Sequence, residues 1–76
     1  MSRLPSLSGK DILKVFLKMG YVVIRQRSSH VRLINPARPQ WPITIPDYKV
    51  VGRGLLRKII RDAGVSTEQF LNLIKK

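Results

Sequence analysis

A chain of 76 residues, 43% of them hydrophobic, can build one compact core and no second one, because a domain of this size buries only roughly 60% of its unfolded surface. The absence of cysteine excludes disulfides, thiolate metal sites and a cysteine nucleophile. Fifteen Lys and Arg against four Asp and Glu leave a net charge of +11, which attracts polyanions, most commonly nucleic acid. An acidic protein or an anionic membrane surface would also suit this charge, although the basic helices lack the exposed aromatic face of a membrane-surface helix.

We predict a single domain over residues 1–76, in which residues 1–7 form a short N-terminal arm. This arm lacks the apolar run of a signal peptide, and no apolar stretch approaches the length of a membrane-spanning helix. We therefore expect a soluble, cytoplasmic protein that does not bind membranes.

The first helix is predicted to begin after Ser8 and to end at Gly20. Ser8 is a favourable N-cap, and Asp11 has the position of a capping-box acid and the charge that the helix dipole favours. Apolar residues at helical spacing would pack on the core, namely Ile12, Leu13, Phe16 and Leu17. Three lysines without acidic residues at the same spacing are candidate phosphate contacts, namely Lys10, Lys14 and Lys18. A solvent-exposed helix face without a ligand is the commoner explanation of such a row.

Residues 21–46 are predicted to form a three-stranded antiparallel sheet. Residues 21–27 are rich in β-formers, Ser28-Ser29 makes a tight turn, and residues 30–34 alternate between polar and apolar side chains. This pattern indicates a β-hairpin with one face towards the core.

The third strand is predicted to be short, over residues 43–45, and to end at Pro46. Residues 35–42 contain three prolines and are predicted to form an irregular loop. Within this loop we expect Trp41 to pack over one end of the core.

Strand alternation predicts which side chains share a face of the hairpin. Val31 and Leu33 on the second strand would point towards the core. Val22 and Ile24 would do the same on the first strand. The opposite, open face would then gather the basic side chains of the two hairpin strands, namely Arg25, Arg27, His30 and Arg32.

Two more helices are predicted, one from Arg53 to Gly64 and a short last one after Ser66. Ser66 and Gln69 have the spacing of a capping box. Apolar residues of both helices would complete the core, namely Leu55, Leu56, Ile59, Ile60, Ala63, Phe70, Leu71 and Ile74. The order of elements predicts an α+β fold in which helices cover one face of a three-stranded antiparallel sheet.

The start of the second helix is a candidate phosphate site. Gly52 precedes it, Lys49 and Arg53 flank it, and the free backbone N–H groups favour an anion together with the helix dipole. A glycine that only permits a tight turn explains the same residues equally well.

The acidic residues do not support a metal-dependent reaction. They are scattered at Asp11, Asp47, Asp62 and Glu68, whereas a two-metal nuclease needs several carboxylates at one point. A hydrolytic zinc site usually needs three protein ligands, and the chain has one histidine. There is no glycine-rich nucleotide loop, and no carboxylate is placed to orient the imidazole as in a serine hydrolase. We therefore expect neither a metal nor a small-molecule cofactor.

One reaction suits a lone histidine among arginines, and it is metal-free cleavage of RNA. The 2′-hydroxyl supplies the nucleophile, so the protein needs a general acid or base and cations that stabilise the transition state. His30 would take the first role, and the arginines of the open face the second. A lone histidine on a strand is more often a surface or partner contact. The residues therefore leave open a non-catalytic RNA-binding module and a domain that binds an acidic protein.

The order of elements and several motifs together resemble the HicA (YcfA-like) family of mRNA interferase toxins. The resemblance runs from Ser8 to Leu71 through the segments SGKDILKVFLKMGYVVIRQRSSHVRL, ITIP and GRGLLRKIIRDAGVSTEQFL. It implies a fold like that of double-stranded-RNA-binding domains, ribosome-independent cleavage of mRNA, and neutralisation by a cognate HicB-type antitoxin. His30 matches the histidine taken as catalytic in the family, and Ser29 matches the serine before it, a candidate RNA contact.

Three positions depart from the family pattern. Ser28 replaces the usual turn glycine, which a backbone with positive φ favours. Leu55 stands where threonine is usual. Asp47-Tyr48 follows Pro46 where many members have a second histidine, which makes Tyr48 the candidate for a second proton-transfer group.

Overall fold

A computed structural model describes residues 4–74 of the chain. Six elements follow one another, namely α1 (Gly9–Lys18), β1 (Val22–Arg27), β2 (His30–Asn35), β3 (Arg38–Pro46), α2 (Arg53–Asp62) and α3 (Thr67–Ile74). The strands form one antiparallel sheet in the order β1-β2-β3. The helices pack against one face of this sheet, so the predicted α+β fold is confirmed.

The helix ends follow the signals that predict them. Ser8 Oγ accepts a hydrogen bond of 3.1 Å from the amide N–H three residues later, at the start of α1. At the start of α3, Ser66 and Gln69 accept hydrogen bonds from each other's backbone N–H groups at 3.0 and 3.1 Å, which is a complete capping box. Gly20 and Gly64 follow α1 and α2 with φ angles of 97° and 72°, which glycine adopts without steric cost.

The core lies between the inner face of the sheet and the helices. The sheet contributes five buried side chains, Val31, Leu33, Ile43, Ile45 and Pro46. Phe16 of α1 is fully buried, and its ring centroid lies 5.0 Å from that of Tyr21 and 6.0 Å from that of Phe70. Within residues 4–74 no polar or charged side chain is buried, so the core is held by apolar contacts.

The predicted N-terminal arm packs on the domain where it is described. Its residues 1–3 lie outside the described residues. Leu4 is buried in the core, and Leu7 forms an isolated antiparallel bridge with Val51, whose N–H donates to the Leu7 carbonyl at 2.6 Å. Residues 4–7 therefore belong to the folded domain.

Two leucines that helical spacing assigned to the core are exposed. Leu17 lies about 140° around α1 from the buried Ile12, and Leu55 lies about 100° around α2 from the buried Leu56. Both positions fall outside the stripe that faces the sheet. On α1, Val15 is buried instead, because it lies about 60° from Ile12 on the other side.

β1 is an edge strand with a β-bulge that the sequence did not predict. The register places Val23 opposite Leu33 and Arg25 opposite the preceding residue of β2, which leaves Ile24 unpaired. Because of this extra residue, the side chains of β1 that precede it point to the opposite faces from those that a regular strand predicts. The prediction that Val22 and Ile24 point towards the core is therefore wrong, and both are exposed. Because the bulge precedes Arg25, it leaves the outward direction of the two β1 arginines unchanged.

β3 is longer than predicted, because it includes most of the proline-rich segment. The chain turns directly after Asn35, whose side chain accepts a hydrogen bond of 3.0 Å from the N–H two residues later, and β3 begins at Arg38. The prediction of an irregular loop over residues 35–42 is therefore wrong. β3 is the second edge strand, and its residues 39–42 lie opposite Ile34 alone. Prolines are tolerated at such an irregular edge because they interrupt no regular ladder there.

Trp41 does not cover the core as predicted, since 55% of it is exposed. Tyr21 is buried, and its hydroxyl donates to the Ala63 carbonyl at 3.4 Å. The indole of Trp41 contacts Arg38, whose guanidinium carbon lies 5.1 Å from the ring centroid.

Candidate functional site

The turn between β1 and β2 sets the position of the histidine. Arg27 and His30 form a cross-strand pair with Ser28 and Ser29 between them, so the predicted tight turn is confirmed. Ser28 has a φ of 46°, a left-handed conformation that residues other than glycine rarely adopt. The Ser29 carbonyl accepts a hydrogen bond of 2.6 Å from the Asp47 N–H, which ties the turn to the end of β3.

The open face of the sheet gathers side chains from all three strands around the histidine. A cavity of about 140 Å³ is lined by Arg25, Arg27, His30, Arg32 and Thr44. The register explains this grouping, because Arg27 lies opposite His30 and Arg32 lies between Arg25 and Thr44. The structure thus brings together the four basic side chains that strand alternation placed on this face.

The lining of this cavity is cationic, with no acidic side chain. Arg25 and Arg32 lie directly opposite each other on neighbouring strands. Like charges in this arrangement destabilise a sheet, and an anion bound between them would remove the penalty. His30 is exposed, so a ligand can reach its imidazole from solvent. The arrangement can therefore bind a phosphate group and place a proton-transfer group beside it.

Tyr48 reaches the histidine from the segment that follows β3. Its ring centroid lies 6.5 Å from that of His30, with the ring planes at 70°. The segment is fixed to α1 by a hydrogen bond of 2.8 Å from the Gly9 N–H to the Tyr48 carbonyl. A Cβ on Gly9 would overlap the Pro46 carbonyl oxygen and lie 2.9 Å from the Asp47 Cα. Sequence reasoning missed this role of Gly9, because its neighbours along the chain do not reveal which segment approaches it.

The four candidate lysines lie in two other places. Lys10 and Lys49 line a cleft of about 350 Å³ together with Tyr48, so they adjoin the histidine through the tyrosine. Lys14 and Lys18 line a separate cleft beside α3, where Lys18 Nζ donates to the Leu73 carbonyl at 3.3 Å. The structure therefore does not bring Lys14 and Lys18 to the cavity on the open face.

Two other candidates, Ser29 and Gly52, do not line the cavity at His30. Ser29 is half-buried at the turn and does not line the cavity. Gly52 is the N-cap of α2 with φ −63° and ψ 157°, an extended conformation that any residue adopts. A tight turn therefore does not require glycine at this position, and no side chain caps the helix.

Among residues 4–74, no three His, Asp or Glu side chains lie close enough to hold a metal ion. Asp62 instead forms an ion pair with Lys58 at 2.8 Å. Over the same residues, no helix has the length and the apolar character needed to cross a membrane.

The elements that build this site match a known protein family. The matching family model describes the HicA toxin of bacterial toxin–antitoxin systems, and the match covers residues 9–65. These residues include the whole sheet, His30 and Tyr48. A comparison with curated proteins found no match. Because the family model covers well over half of the 76 residues, the chain belongs to the HicA toxin family of bacterial toxin–antitoxin systems.

Proposed function

We propose that the protein is an endoribonuclease, the mRNA-cleaving toxin of a toxin–antitoxin pair, with His30 as its general acid or base. The observation that supports this most directly is the cavity on the open face, in which His30 lies among three arginines. A phosphodiester bound there would have a proton-transfer group and cationic hydrogen-bond donors within reach.

The reaction uses a nucleophile that RNA itself supplies. The 2′-oxygen attacks the adjacent phosphorus, and its proton passes to a base such as His30. The bond from phosphorus to the 5′-oxygen of the next nucleotide breaks, and this oxygen takes up a proton. The products are a 2′,3′-cyclic phosphate and a 5′-hydroxyl, formed without a metal ion. DNA is not cleaved in this scheme, because it lacks the 2′-hydroxyl.

The arginines and the tyrosine take supporting roles in this scheme. The extra negative charge of the transition state would relieve the repulsion between Arg25 and Arg32, which face each other across β1 and β2. Arg27 lies opposite His30 and can contact the same phosphate. Tyr48 is the candidate for the second proton-transfer group, because its ring is in contact range of the imidazole.

The remaining basic residues would bind the RNA backbone outside the cavity. Lys10 and Lys49 line the cleft beyond Tyr48, together with one acidic residue, Asp47, and we assign the two lysines to flanking phosphates. Ser29 would contact RNA at the turn. Lys14 and Lys18 would contribute only to a strand that continues along α1 towards α3.

The partner that inhibits this activity is proposed to be a HicB-like antitoxin protein. Membership of the HicA family indicates an antitoxin partner. A net charge of +11 favours a partner with an acidic surface, since complementary charge speeds association and excludes other basic proteins. We expect a small acidic protein encoded beside the toxin to bind it and to block RNA cleavage.

Cleavage assays with modified RNA test the proposal. Purified protein is incubated, in EDTA, with a single-stranded mRNA and with the same RNA carrying 2′-O-methyl groups. We expect cleavage of the unmodified RNA alone, with 2′,3′-cyclic phosphate on the products. Cleavage that stops in EDTA would contradict the metal-free scheme. Binding without cleavage in all conditions would make the protein a non-catalytic RNA-binding module.

A further inference from the structure

An exposed tryptophan lies at the end of β3 away from the histidine. Trp41 is the only tryptophan of the chain, and more than half of its surface is exposed. It lines an open cleft of about 280 Å³ with Arg38 and the C-terminal end of α2, through Arg61, Asp62, Ala63 and Gly64. The exposed indole offers a flat apolar face with one polar N–H to a ligand.

Arg38 is fixed against one face of this ring. Its guanidinium carbon lies 5.1 Å from the indole centroid, and Nη2 donates to the Ala63 carbonyl at 3.3 Å. Ala63 is the C-cap of α2, where free carbonyls and the helix dipole favour a cation. Gly64 leaves room for the guanidinium, because a Cβ there would lie 3.1 Å from Arg38 Nη2. The guanidinium of Arg38 is therefore already held over the indole.

The charge around the ring suits an anion with an aromatic group. Arg61 and Arg38 supply two positive charges to the cleft. Asp62 also lines it, but its carboxylate is paired with Lys58 at 2.8 Å, which offsets its repulsion of an anion. A flat aromatic group attached to phosphates is the chemical description of a nucleotide, and bases of every type stack on aromatic side chains.

We propose that Trp41 and Arg38 form a nucleobase-binding site, separate from the cavity at His30. This site would bind a base of the RNA substrate at a distance from the scissile phosphate. The inference rests on the proposed function, because it takes RNA as the substrate. Trp41 is five positions before Pro46, which lies opposite His30. Trp41 lies opposite Ile34, four positions along β2 from His30, so at about 3.3 Å per strand residue the two sites are on the order of 13 Å apart. An RNA strand that fills both must cross the edge of β3, and very short RNAs cannot reach both.

Tryptophan fluorescence tests the site without interference from a second indole. The unaltered protein is titrated with a 2′-O-methyl RNA of about ten nucleotides, which is long enough for stacking contacts. An abasic oligomer of the same length supplies the same phosphates without bases. We expect the RNA to quench the Trp41 emission and the abasic oligomer to bind without quenching.

Affinity measurements on variants provide the second readout. Trp41→Ala should raise the Kd for this RNA roughly 5- to 140-fold, the range expected for one lost stacking contact. Trp41→Phe should recover most of the affinity, because it keeps an aromatic face. Leu55→Ala removes an exposed apolar side chain outside both sites and should leave the Kd unchanged, with thermal unfolding recorded for each variant.

The outcomes separate this inference from the proposed nuclease activity. Quenching by RNA together with a weakened Trp41→Ala variant supports the nucleobase site. RNA binding without quenching, or an unchanged Kd in folded Trp41→Ala, overturns it even if the parent cleaves mRNA. If Trp41→Ala loses antitoxin binding but keeps RNA binding, the nucleobase site is also overturned, and the cleft at Trp41 is assigned to a protein partner. Quenching of Trp41 by RNA without any mRNA cleavage would contradict the proposed nuclease activity and would support the nucleobase-binding site.

Discussion

The two faces of the sheet are built from the same strands and differ in burial and in charge. Along β2, Val31 and Leu33 are buried under the helices, whereas His30 and Arg32 alternate with them and are exposed on the other side. One face contributes apolar area to folding, and the other presents cations to solvent. Neighbouring residues should therefore respond to substitution in opposite ways, one in stability and the other in RNA binding or cleavage.

This division depends on a fixed strand register. A slip of one residue would move every side chain of a strand to the other face. The register of β2 is set by four buried partners on the inner face, Val31, Leu33, Ile43 and Ile45, and by the tight turn at residues 28–29. The apolar face therefore positions the histidine indirectly, although no apolar residue lines its cavity.

The largest effect on the buried face should follow from Leu33→Ala. Leu33 is 0% exposed, so the truncation leaves a cavity and should lower the free energy of unfolding by about 2–5 kcal/mol. Urea unfolding followed by circular dichroism measures this. Arg32→Ala, one residue earlier and exposed, is the matched control and should lose no stability, because it removes one of two like charges that lie opposite each other. Equal losses for the two variants would contradict the comparison of the faces.

Gly9→Ala should disturb the contact that holds the tyrosine beside the histidine. The new Cβ would overlap the Pro46 carbonyl oxygen, so we expect a loss of about 1–3 kcal/mol in unfolding free energy. Alanine normally stabilises a helix relative to glycine. Gly54→Ala in α2 meets nothing within 4 Å and should therefore raise stability, by about 0.4–1 kcal/mol. A stabilising Gly9→Ala would show that the close approach is absent in solution.

Ser28→Gly should relieve the strained turn that aims the histidine. Ser28 has a φ of 46°, which costs a non-glycine residue roughly 1 kcal/mol. We expect the variant to gain up to about 1 kcal/mol in stability, reduced by the entropy of an added glycine. Ser29→Gly, whose φ is not positive, should gain nothing. Thermal unfolding of both variants compares their stabilities. A gain in stability for Ser29→Gly but not for Ser28→Gly would contradict the assignment of strain to Ser28.

Arg25→Thr should have small effects of opposite sign on folding and on RNA binding. Removal of one of two like charges directly opposite each other should stabilise the sheet by roughly 0.2–1 kcal/mol. Loss of one phosphate contact should flatten the dependence of log Kd on log salt by about 0.7. Arg57→Ala, exposed on α2, is the control and should leave the salt dependence unchanged. An unchanged salt dependence of the Kd for Arg25→Thr would show that Arg25 does not contact the RNA backbone.

The sequence predicts the helices and the cluster around the histidine well, for local reasons. Caps such as Ser8 and glycines such as Gly20 act within a few residues of the helix ends, so the chain itself shows them. The grouping of Arg25 with His30 needs only strand alternation and a short turn. The bulge at Ile24 does not change that grouping, because it precedes Arg25, whereas the turn follows Arg27.

The errors concern features that depend on distant segments. Prolines in residues 35–42 indicate a loop locally, but β3 is an edge strand with an irregular pairing that accommodates them. Trp41 is large and apolar, so composition places it in the core, whereas the structure leaves more than half of it exposed. The packing role of Gly9 depends on where the segment after β3 passes, which no local pattern reveals.

The most direct test of the central claim is the cleavage rate of the His30→Ala variant in EDTA. General acid–base help of the kind proposed contributes about 10²–10⁴-fold, so we expect a loss of that size in the rate of mRNA cleavage. Because His30 is exposed, unfolding free energy should change by less than about 0.5 kcal/mol, and RNA affinity should be largely kept. Toxicity on expression should disappear with the same substitution. A folded His30→Ala variant that cleaves mRNA as fast as the parent would contradict the assignment of His30 as the proton-transfer group.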